Sequence, residues 1–272
     1  MKKKLYNPGV HDITNEEYHA SEGISRSAIM EFLRSPKHYK YKYRNDGYVK
    51  IAPSPAMEFG SAFHMYVLER SKFVDHYYIG EKFDRRTKEG KEAHKESLKN
   101  AEGRTLISDD DFFKITTMFN SLDGQALELI TGARYEKSIY WTDPDSGLLC
   151  KCRPDIWHPN FIVDLKTAAD ASPQAFQRAF FNSGYYIQVA MMSEAIKHTE
   201  GREMRNFIDL AIETSEPYVH CIYPIAEFAV MQGIHEFKAT LLLMKECFES
   251  GEFPGYNTQE LTIPAWAKRD LS

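Results

Sequence analysis

The sequence predicts an α/β fold in which a mixed β-sheet is flanked by helices. Three short segments of alternating polarity follow one another closely, and the turns between them are short enough to demand antiparallel pairing. A helical stretch then leads to another strand, and a strand reached through a helix normally runs parallel to an earlier one. Helical periodicity dominates residues 1–130, so we expect a helical N-terminal elaboration of this sheet.

The helices are predicted from apolar residues at helical spacing and from residues that cap or end helices. Pro36 should kink or divide the first helix because its ring is not tolerated in a helix interior. Segment 82–104 is so rich in interleaved charges that we expect a solvated helix and loops there. The predicted helices span 25–43, 56–70, 109–130, 173–182, 184–198 and 225–249.

The strands are predicted from alternating or continuous apolar runs that are bounded by turn residues. They span 135–142, 147–157, 160–167, 204–213 and 218–223. We find no internal repeat, low-complexity tract or long linker, which predicts a single domain over 1–272. Its expected parts are the helical elaboration, a sheet core over 131–225, and a C-terminal helix and tail over 226–272.

Composition is typical of a globular protein, with 43% hydrophobic and 27% charged residues. The four cysteines form no C-x-x-C pair and are expected to be reduced thiols. No signal-peptide pattern and no apolar stretch of about 18 residues is present, so we expect a cytoplasmic protein without a membrane segment. The net charge of −5 argues against simple DNA coating but is compatible with an acidic cation-binding centre.

One set of charged residues is unusual for ordinary strands. Arg153-Pro154-Asp155 precedes Asp164-Leu165-Lys166 by eight residues, across the predicted second and third strands. Side chains two apart in a strand point to the same side, so Asp164 and Lys166 should share one face. Asp155 is expected at the end of the neighbouring strand, where a tight turn would bring it beside Asp164.

This arrangement suits the hydrolysis of phosphodiesters. Two carboxylates can hold one or two Mg²⁺ ions through hard oxygen ligands, with Mn²⁺ as an alternative. Such ions polarise a phosphate and activate water, and Lys166 could orient that water or neutralise developing charge. Desolvation would lower the pKa of Lys166 and the carboxylates would raise it, and the sequence leaves this balance open. The competing interpretation is an ordinary strand with a charged outer face.

Six further residues are weak candidates when taken singly, because each has an ordinary structural role by default. Packing, a surface ion pair or a solvated mixed-charge face would explain them equally well. They are His64 on the second helix, Glu136 at the start of the first strand, Tyr185 and Gln188 on one helix face, and Arg85 and Arg86 in the polar segment.

An ordered set of segments makes the pattern more specific. It comprises Gly23–Ser27 with Ser35–Tyr39, Phe59–His64 with Leu68–Glu69, Phe83–Thr87 with Gly90–Lys91, Arg153–Asp155, Asp164–Asp170 and Tyr185–Gln188. Together these segments resemble the RecE-type exonuclease family (the catalytic domain of exonuclease VIII). That family is a branch of the RecB-like PD-(D/E)xK nucleases, and the resemblance runs over most of the chain.

The resemblance implies a restriction-endonuclease-like core and assigns roles. His64, Asp155 and Asp164 would be metal ligands, with Lys166 as the catalytic lysine. Tyr185 and Gln188 would contact DNA or the edge of the active site. Arg85 and Arg86, in the segment similar to one before the family's core, are candidates for substrate binding, and Glu136 is a further candidate for the site.

The family's activity implies further expectations. The protein would be a Mg²⁺-dependent exonuclease that degrades linear double-stranded DNA, from 5′ ends, in phage or prophage recombination. A single-strand annealing protein would be its partner, and a homo-oligomeric ring would explain processivity.

Two alternatives differ from this interpretation. A structure-specific or single-strand endonuclease of the same superfamily would share the active site and differ in the DNA channel. A catalytically inactive DNA-binding relic would share the fold alone, and the complete set of Asp155, Asp164 and Lys166 argues against it. The sequence contains no phosphate-binding G-x-x-x-x-G-K-[ST], no H-E-x-x-H and no G-x-S-x-G motif, which disfavours an ATP-driven motor, a zinc protease or a serine hydrolase.

Overall fold

The computed structural model describes residues 4–49, 51–84 and 86–263, so Arg85 lies outside the described residues. Its α-helices are α1 Asn15–Ala20, α2 Arg26–Arg34, α3 Pro36–Tyr43, α4 Pro55–Leu68, α5 Phe73–His76, α6 Lys88–Asn100, α7 Asp109–Asn120, α8 Gly124–Leu129, α9 Pro173–Asn182, α10 Tyr185–Glu200 and α11 Glu227–Ser250. A 3₁₀ turn spans Arg70–Lys72. The strands are β1 Gly9–His11, β2 Tyr77–Gly80, β3 Thr105–Ser108, β4 Arg134–Tyr135, β5 Ser138–Thr142, β6 Leu149–Cys152, β7 Ile156–Trp157, β8 Ile162–Ala168, β9 Phe207–Glu213 and β10 His220–Pro224.

The main sheet has five strands in the order β10-β9-β8-β7-β4. β8 and β9 are parallel, as expected for strands joined through the helices α9 and α10, whereas the other pairs in this sheet are antiparallel. The predicted mixed sheet is thus confirmed. A second sheet has the order β1-β5-β6, and β2 pairs with β3 in a parallel two-stranded sheet.

The prediction of three continuous antiparallel strands over 135–167 was wrong in one respect. The first two predicted strands each divide, so that β4 and β7 lie in the five-stranded sheet while β5 and β6 lie in the three-stranded sheet. The first break is at Glu136, whose φ of +50° places a non-glycine residue in the left-handed region. The second break includes Pro154, which has no N–H to donate to a ladder.

Helix boundaries depend on capping groups. The predicted helix 25–43 divides at Pro36, as expected, with the Ser35 side chain accepting from His38 N at the start of α3. The predicted helix 109–130 was wrong as one piece: it ends after α7, and Asp123 caps α8 by accepting from Ala126 N. Sequence analysis did not predict α1, α5 or the short strands β1, β2 and β3.

The two faces of β8 meet different helices. Val163 and Leu165 are fully buried in a cluster that contains Phe63 of α4. Ile162 belongs to a cluster that contains Ile187 of α10. Side chains alternate along a strand, so Asp164 and Lys166 project on the side of α10, opposite the apolar face as predicted.

Among the described residues, no helix combines the length and the apolarity needed to cross a bilayer.

The close crossing of α10 and α11 depends on Gly233. A Cβ added at this residue would lie 2.4 Å from the carbonyl oxygen of Tyr186, a backbone atom that cannot move independently of α10. We expect Gly233→Ala to lower the free energy of unfolding by about 2 kcal/mol, because overpacking forces the helices apart. Urea denaturation of this variant beside the exposed Gln232→Ala control measures the effect. Equal stability of the two variants would contradict the prediction.

Candidate metal and catalytic centre

The pairing of β7 with β8 places two aspartates opposite each other. Ile156 pairs with Val163 and Trp157 with Ile162, so the same antiparallel register sets Asp155 opposite Asp164. Asp155 directly precedes β7, rather than ending a long strand as predicted, and the tight turn after β7 is responsible for the antiparallel return. The expected proximity of the two carboxylates therefore follows from strand register.

Asp155 is held from two sides. Its Oδ2 accepts a hydrogen bond of 2.8 Å from the backbone N–H of Leu165. The same oxygen lies 3.6 Å from Nδ1 of His64 on α4. Gly60, one helical turn before His64, allows this approach, because a Cβ there would lie 3.1 Å from Oγ1 of Thr167 on β8. Because Gly60 has no side chain, α4 can lie close enough to β8 for His64 to approach Asp155.

Three side chains form a group that could hold a metal ion. The ligand atoms of His64, Glu136 and Asp155 all lie within 4.8 Å of one another. The backbone N–H of Glu136 donates to the Asp155 carbonyl at 3.1 Å, which fixes the bend that carries Glu136 beside Asp155. Two carboxylates and one imidazole form a donor set compatible with Mg²⁺ or Mn²⁺. Glu136, which was a weak candidate on sequence alone, therefore lies in this group of possible ligands.

Arg153 balances the charge of Glu136. Its Nε donates to Oε2 of Glu136 at 2.5 Å, and its Nη1 donates to Oγ of Ser138 at 2.6 Å and to the carbonyl oxygen of Ile13 at 3.0 Å. The guanidinium therefore connects the cluster to the N-terminal segment.

The cluster carries perturbed ionisation equilibria. Burial lowers the pKa of His64 to about 4, which leaves the imidazole neutral and able to donate its lone pair near pH 7. Burial, followed by the neighbouring Asp164 charge, raises the pKa of Asp155 well above its usual value. Burial also raises the pKa of Glu136, although Arg153 opposes the shift. Buried carboxyls with raised pKa values are where a divalent cation would relieve the most unfavourable charge.

Asp164 and Lys166 form an ion pair, and Gln188 hydrogen-bonds to both side chains. The Lys166 ammonium contacts Oδ2 of Asp164. Gln188 on α10 donates from Nε2 to Oδ1 of Asp164 at 2.7 Å and accepts from Lys166 Nζ at 3.0 Å. The Lys166 ammonium also lies 4.1 Å from the centre of the Tyr185 ring. The structure thus brings Tyr185 and Gln188 to the centre through contacts with its own residues.

These contacts decide whether the pKa of Lys166 is raised or lowered, which the sequence left open. Burial lowers the pKa of Lys166, but Asp164, Asp209 and Asp155 outweigh it and the pKa is raised. The side chain therefore remains an ammonium at neutral pH. This charge suits stabilisation of a phosphate in its transition state better than proton abstraction.

Asp209 is a residue of this centre that sequence reasoning missed. The parallel register of β8 with β9 sets Asp209 beside Asp164 on the same sheet face. It is 1% exposed, and its Oδ2 has no hydrogen-bond partner among the described residues. Burial raises the pKa of Asp209 to about 7, with Lys166 opposing and Asp164 adding to the shift. The sequence signal was a lone acid within the apolar run of β9.

Arg86, one of the two arginines predicted to bind substrate, is not part of the cluster. Arg86 makes two hydrogen bonds to the carboxylate of Asp84, at 3.0 and 3.1 Å, and its side chain is 91% exposed. No contact within the described part of the chain joins it to the metal-binding group. Arg85 lies outside the described residues.

Comparisons with known proteins agree with this architecture. A crystal structure from Eubacterium rectale, described as a "Putative exonuclease", superposes with a TM-score of 0.63 at 15% sequence identity. The likeness covers 93% of this chain and 97% of that chain, and at this identity it bears on the fold alone. No curated protein matches the chain by sequence.

A family model gives the sequence-level assignment. The family described as "PDDEXK-like domain of unknown function (DUF3799)" matches residues 25–261. This range includes every candidate residue discussed above, from His64 to Asp209. The mixed sheet with its flanking helices is thus the expected restriction-endonuclease-like core, and the chain belongs to the PDDEXK-like DUF3799 family.

Proposed function

We propose that the protein is a divalent-metal-dependent nuclease that hydrolyses phosphodiester bonds of linear double-stranded DNA. The observation that carries the proposal is the β7–β8 register, which sets Asp155 opposite Asp164 with Lys166 on the same face. Family membership and the similar fold support a nuclease at the coarse level.

The residues have separable roles in this proposal. Asp155 would hold the metal with His64 and, by its position beside Asp155, with Glu136. Asp164 is outside this group of three, but it lies opposite Asp155 and would be a further ligand. A bound Mg²⁺ or Mn²⁺ would polarise the phosphodiester and lower the pKa of a water molecule. Lys166 would neutralise charge that develops on the phosphate. The Gln188 amide would hold the Lys166 and Asp164 side chains in position through its two hydrogen bonds.

The finer assignment is exonuclease action from 5′ ends, in phage-type recombination in the cytoplasm. It rests on the resemblance of the motifs to RecE-type exonucleases and on the description of the structural neighbour. An annealing protein as partner and a homo-oligomeric ring belong to the same proposal.

End-labelled linear duplex and covalently closed circular DNA test the function together. With Mg²⁺ we expect progressive loss of the linear duplex, no loss of the closed circles, and no reaction in EDTA. Labels at the 5′ and 3′ ends report polarity, and Lys166→Ala controls for contaminating nucleases. Rapid loss of closed circles would favour the endonuclease alternative. Equal activity of Lys166→Ala and the wild type would refute the assigned centre.

A further inference from the structure

Helix α3 carries an unusual excess of positive charge for a protein whose net charge is −5. Residues 36–44 contain four lysines and arginines and no acidic residue. By contrast, α6 interleaves four lysines with three glutamates and largely neutralises itself. The charge on α3 is therefore a local feature rather than a reflection of composition.

Three of these cations share one exposed face. Lys37, Lys40 and Arg44 are spaced three and four residues apart, as is required for neighbours on a helix surface. All three are exposed, and Tyr41 beside them is 62% exposed. The fourth cation, Lys42, is half-buried and paired with Glu31 at 2.9 Å, so it does not belong to this face. We refer to Lys37, Lys40, Tyr41 and Arg44 as the α3 cationic face.

Two of the three cations of this face are supported by aromatic rings rather than by carboxylates. The Lys40 ammonium lies 4.9 Å from the ring centre of Phe253, and the Arg44 guanidinium lies 4.4 Å from that of Phe248. Within the described residues, no carboxylate lies at ion-pair distance from Lys37, Lys40 or Arg44. Aromatic support restrains the side chains and leaves their hydrogen-bond donors available for an anionic partner.

The face is connected to the centre by a short structural path. The Tyr185 ring that contacts Lys166 also lies 5.7 Å from the guanidinium of Arg26, the first residue of α2. Arg26 donates to the carbonyl of Ser183 at 2.6 Å, which fixes the start of α2 at the edge of the centre. α2 has 9 residues, a length of about 13 Å, and α3 begins directly after Ser35.

We propose that the α3 cationic face binds the phosphate backbone of the duplex away from the reacting phosphodiester. The inference rests on the proposed nuclease function and identifies where the substrate lies. A polyanion with regularly spaced charges fits a row of like-charged donors with no intervening acid. Arg86, by contrast, already has a carboxylate partner in Asp84.

Neutralisation of the three cations tests the proposal. K37Q/K40Q/R44Q replaces them by shorter side chains that are polar and uncharged. Binding of a fluorescent 20-base-pair duplex is measured by anisotropy in Ca²⁺, without turnover, over a series of salt concentrations. We expect the dissociation constant to rise at least about tenfold. A plot of the logarithm of the association constant against the logarithm of the salt concentration should become less steep, by about 2 to 3 in slope, since each phosphate contact contributes about 0.9.

Two further variants isolate the effect of charge at this face. K88Q/K91Q/K95Q removes three exposed lysines from α6 and should leave both the dissociation constant and the slope unchanged. K37R/K40R/R44K keeps the charge on α3 and should bind like the wild type, which separates loss of charge from loss of folding. In cleavage assays with Mg²⁺, K37Q/K40Q/R44Q should raise KM with little change in kcat.

The outcomes distinguish this inference from the proposed function. If the wild type cleaves linear duplex but K37Q/K40Q/R44Q keeps the wild-type dissociation constant and salt slope, the α3 inference is overturned and the nuclease assignment stands. An equal loss of binding in the α6 variant would also overturn it, because the effect would then reflect total charge. A wild type that neither binds nor cleaves duplex refutes the nuclease proposal itself.

Discussion

Asp155→Asn is expected to reduce metal-dependent cleavage by roughly 10³-fold or more, because it removes a charged ligand at the point where the centre converges. Asp155 belongs with His64 and Glu136 to the metal-binding group and lies opposite Asp164 in the sheet. The asparagine keeps an oxygen that can accept from the Leu165 N–H, so the local backbone should be preserved. The loss would therefore come from metal binding rather than from unfolding.

The measurement combines cleavage rates with Mn²⁺ titration by calorimetry. The matched control is Asp143→Asn, which changes another buried aspartate; that residue accepts from Ser146 in the turn between β5 and β6 and is outside the metal-binding group. We expect the control to bind Mn²⁺ and cleave like the wild type, and Asp155→Asn to fail in both assays. Wild-type Mn²⁺ affinity in Asp155→Asn would show that the metal lies elsewhere.

Asp209→Asn is expected to stabilise the metal-free protein at alkaline pH. A buried carboxyl whose pKa is raised to about 7 has a charged form that is disfavoured relative to the unfolded chain. One unit of pKa shift corresponds to about 1.4 kcal/mol, so the shift from 3.8 sets an upper limit of about 4 kcal/mol on the gain. The amide of asparagine removes this ionisation at nearly constant volume.

The pH dependence has a definite sign. Well below pH 3.8 the carboxyl is protonated in both the folded and the unfolded wild type, so it contributes no penalty. As the pH rises toward 7 the unfolded chain loses this proton first, and the wild type loses stability until the folded carboxyl also ionises. The difference between Asp209→Asn and the wild type should therefore be small near pH 4 and largest at pH 8.

Urea denaturation in EDTA at pH 4.5, 6 and 8 measures this difference. The exposed Asp46→Asn variant is the control, and its offset from the wild type should not change over this range. A variant that is less stable than the wild type at pH 8 would show that the Asp209 carboxylate is stabilising, contrary to its raised pKa.

Local sequence geometry was sufficient for the central part of the site. The two-residue period of a strand places Asp164 and Lys166 on one face whatever the remainder of the chain does, and Val163 and Leu165 on the other. The parallel pairing of β8 with β9 followed from the helical crossover between them. Motif order also supported the PD-(D/E)xK expectation, which family membership now confirms.

Strand lengths and bends were not predictable in the same way. The alternating pattern over 135–142 continues through Glu136, so nothing in it indicated the left-handed backbone that separates β4 from β5. That bend places the Glu136 carboxylate beside Asp155. Its position is set by the pairing of two sheets and by Arg153, which a local pattern does not report.

The α/β class, the shared face of Asp164 and Lys166, and the place of Asp155 next to them therefore followed from the local pattern of residues. The resemblance named His64 as a ligand beside Asp155, but the contact of α4 with β8 at Gly60 that allows this approach came only from the packed structure. The same holds for the burial of Asp209 beside Asp164 and for the protonated state of Lys166. The physical reason is one of range. Face and register follow from neighbours a few residues apart, whereas burial and the summed field of several carboxylates arise only when distant segments pack together.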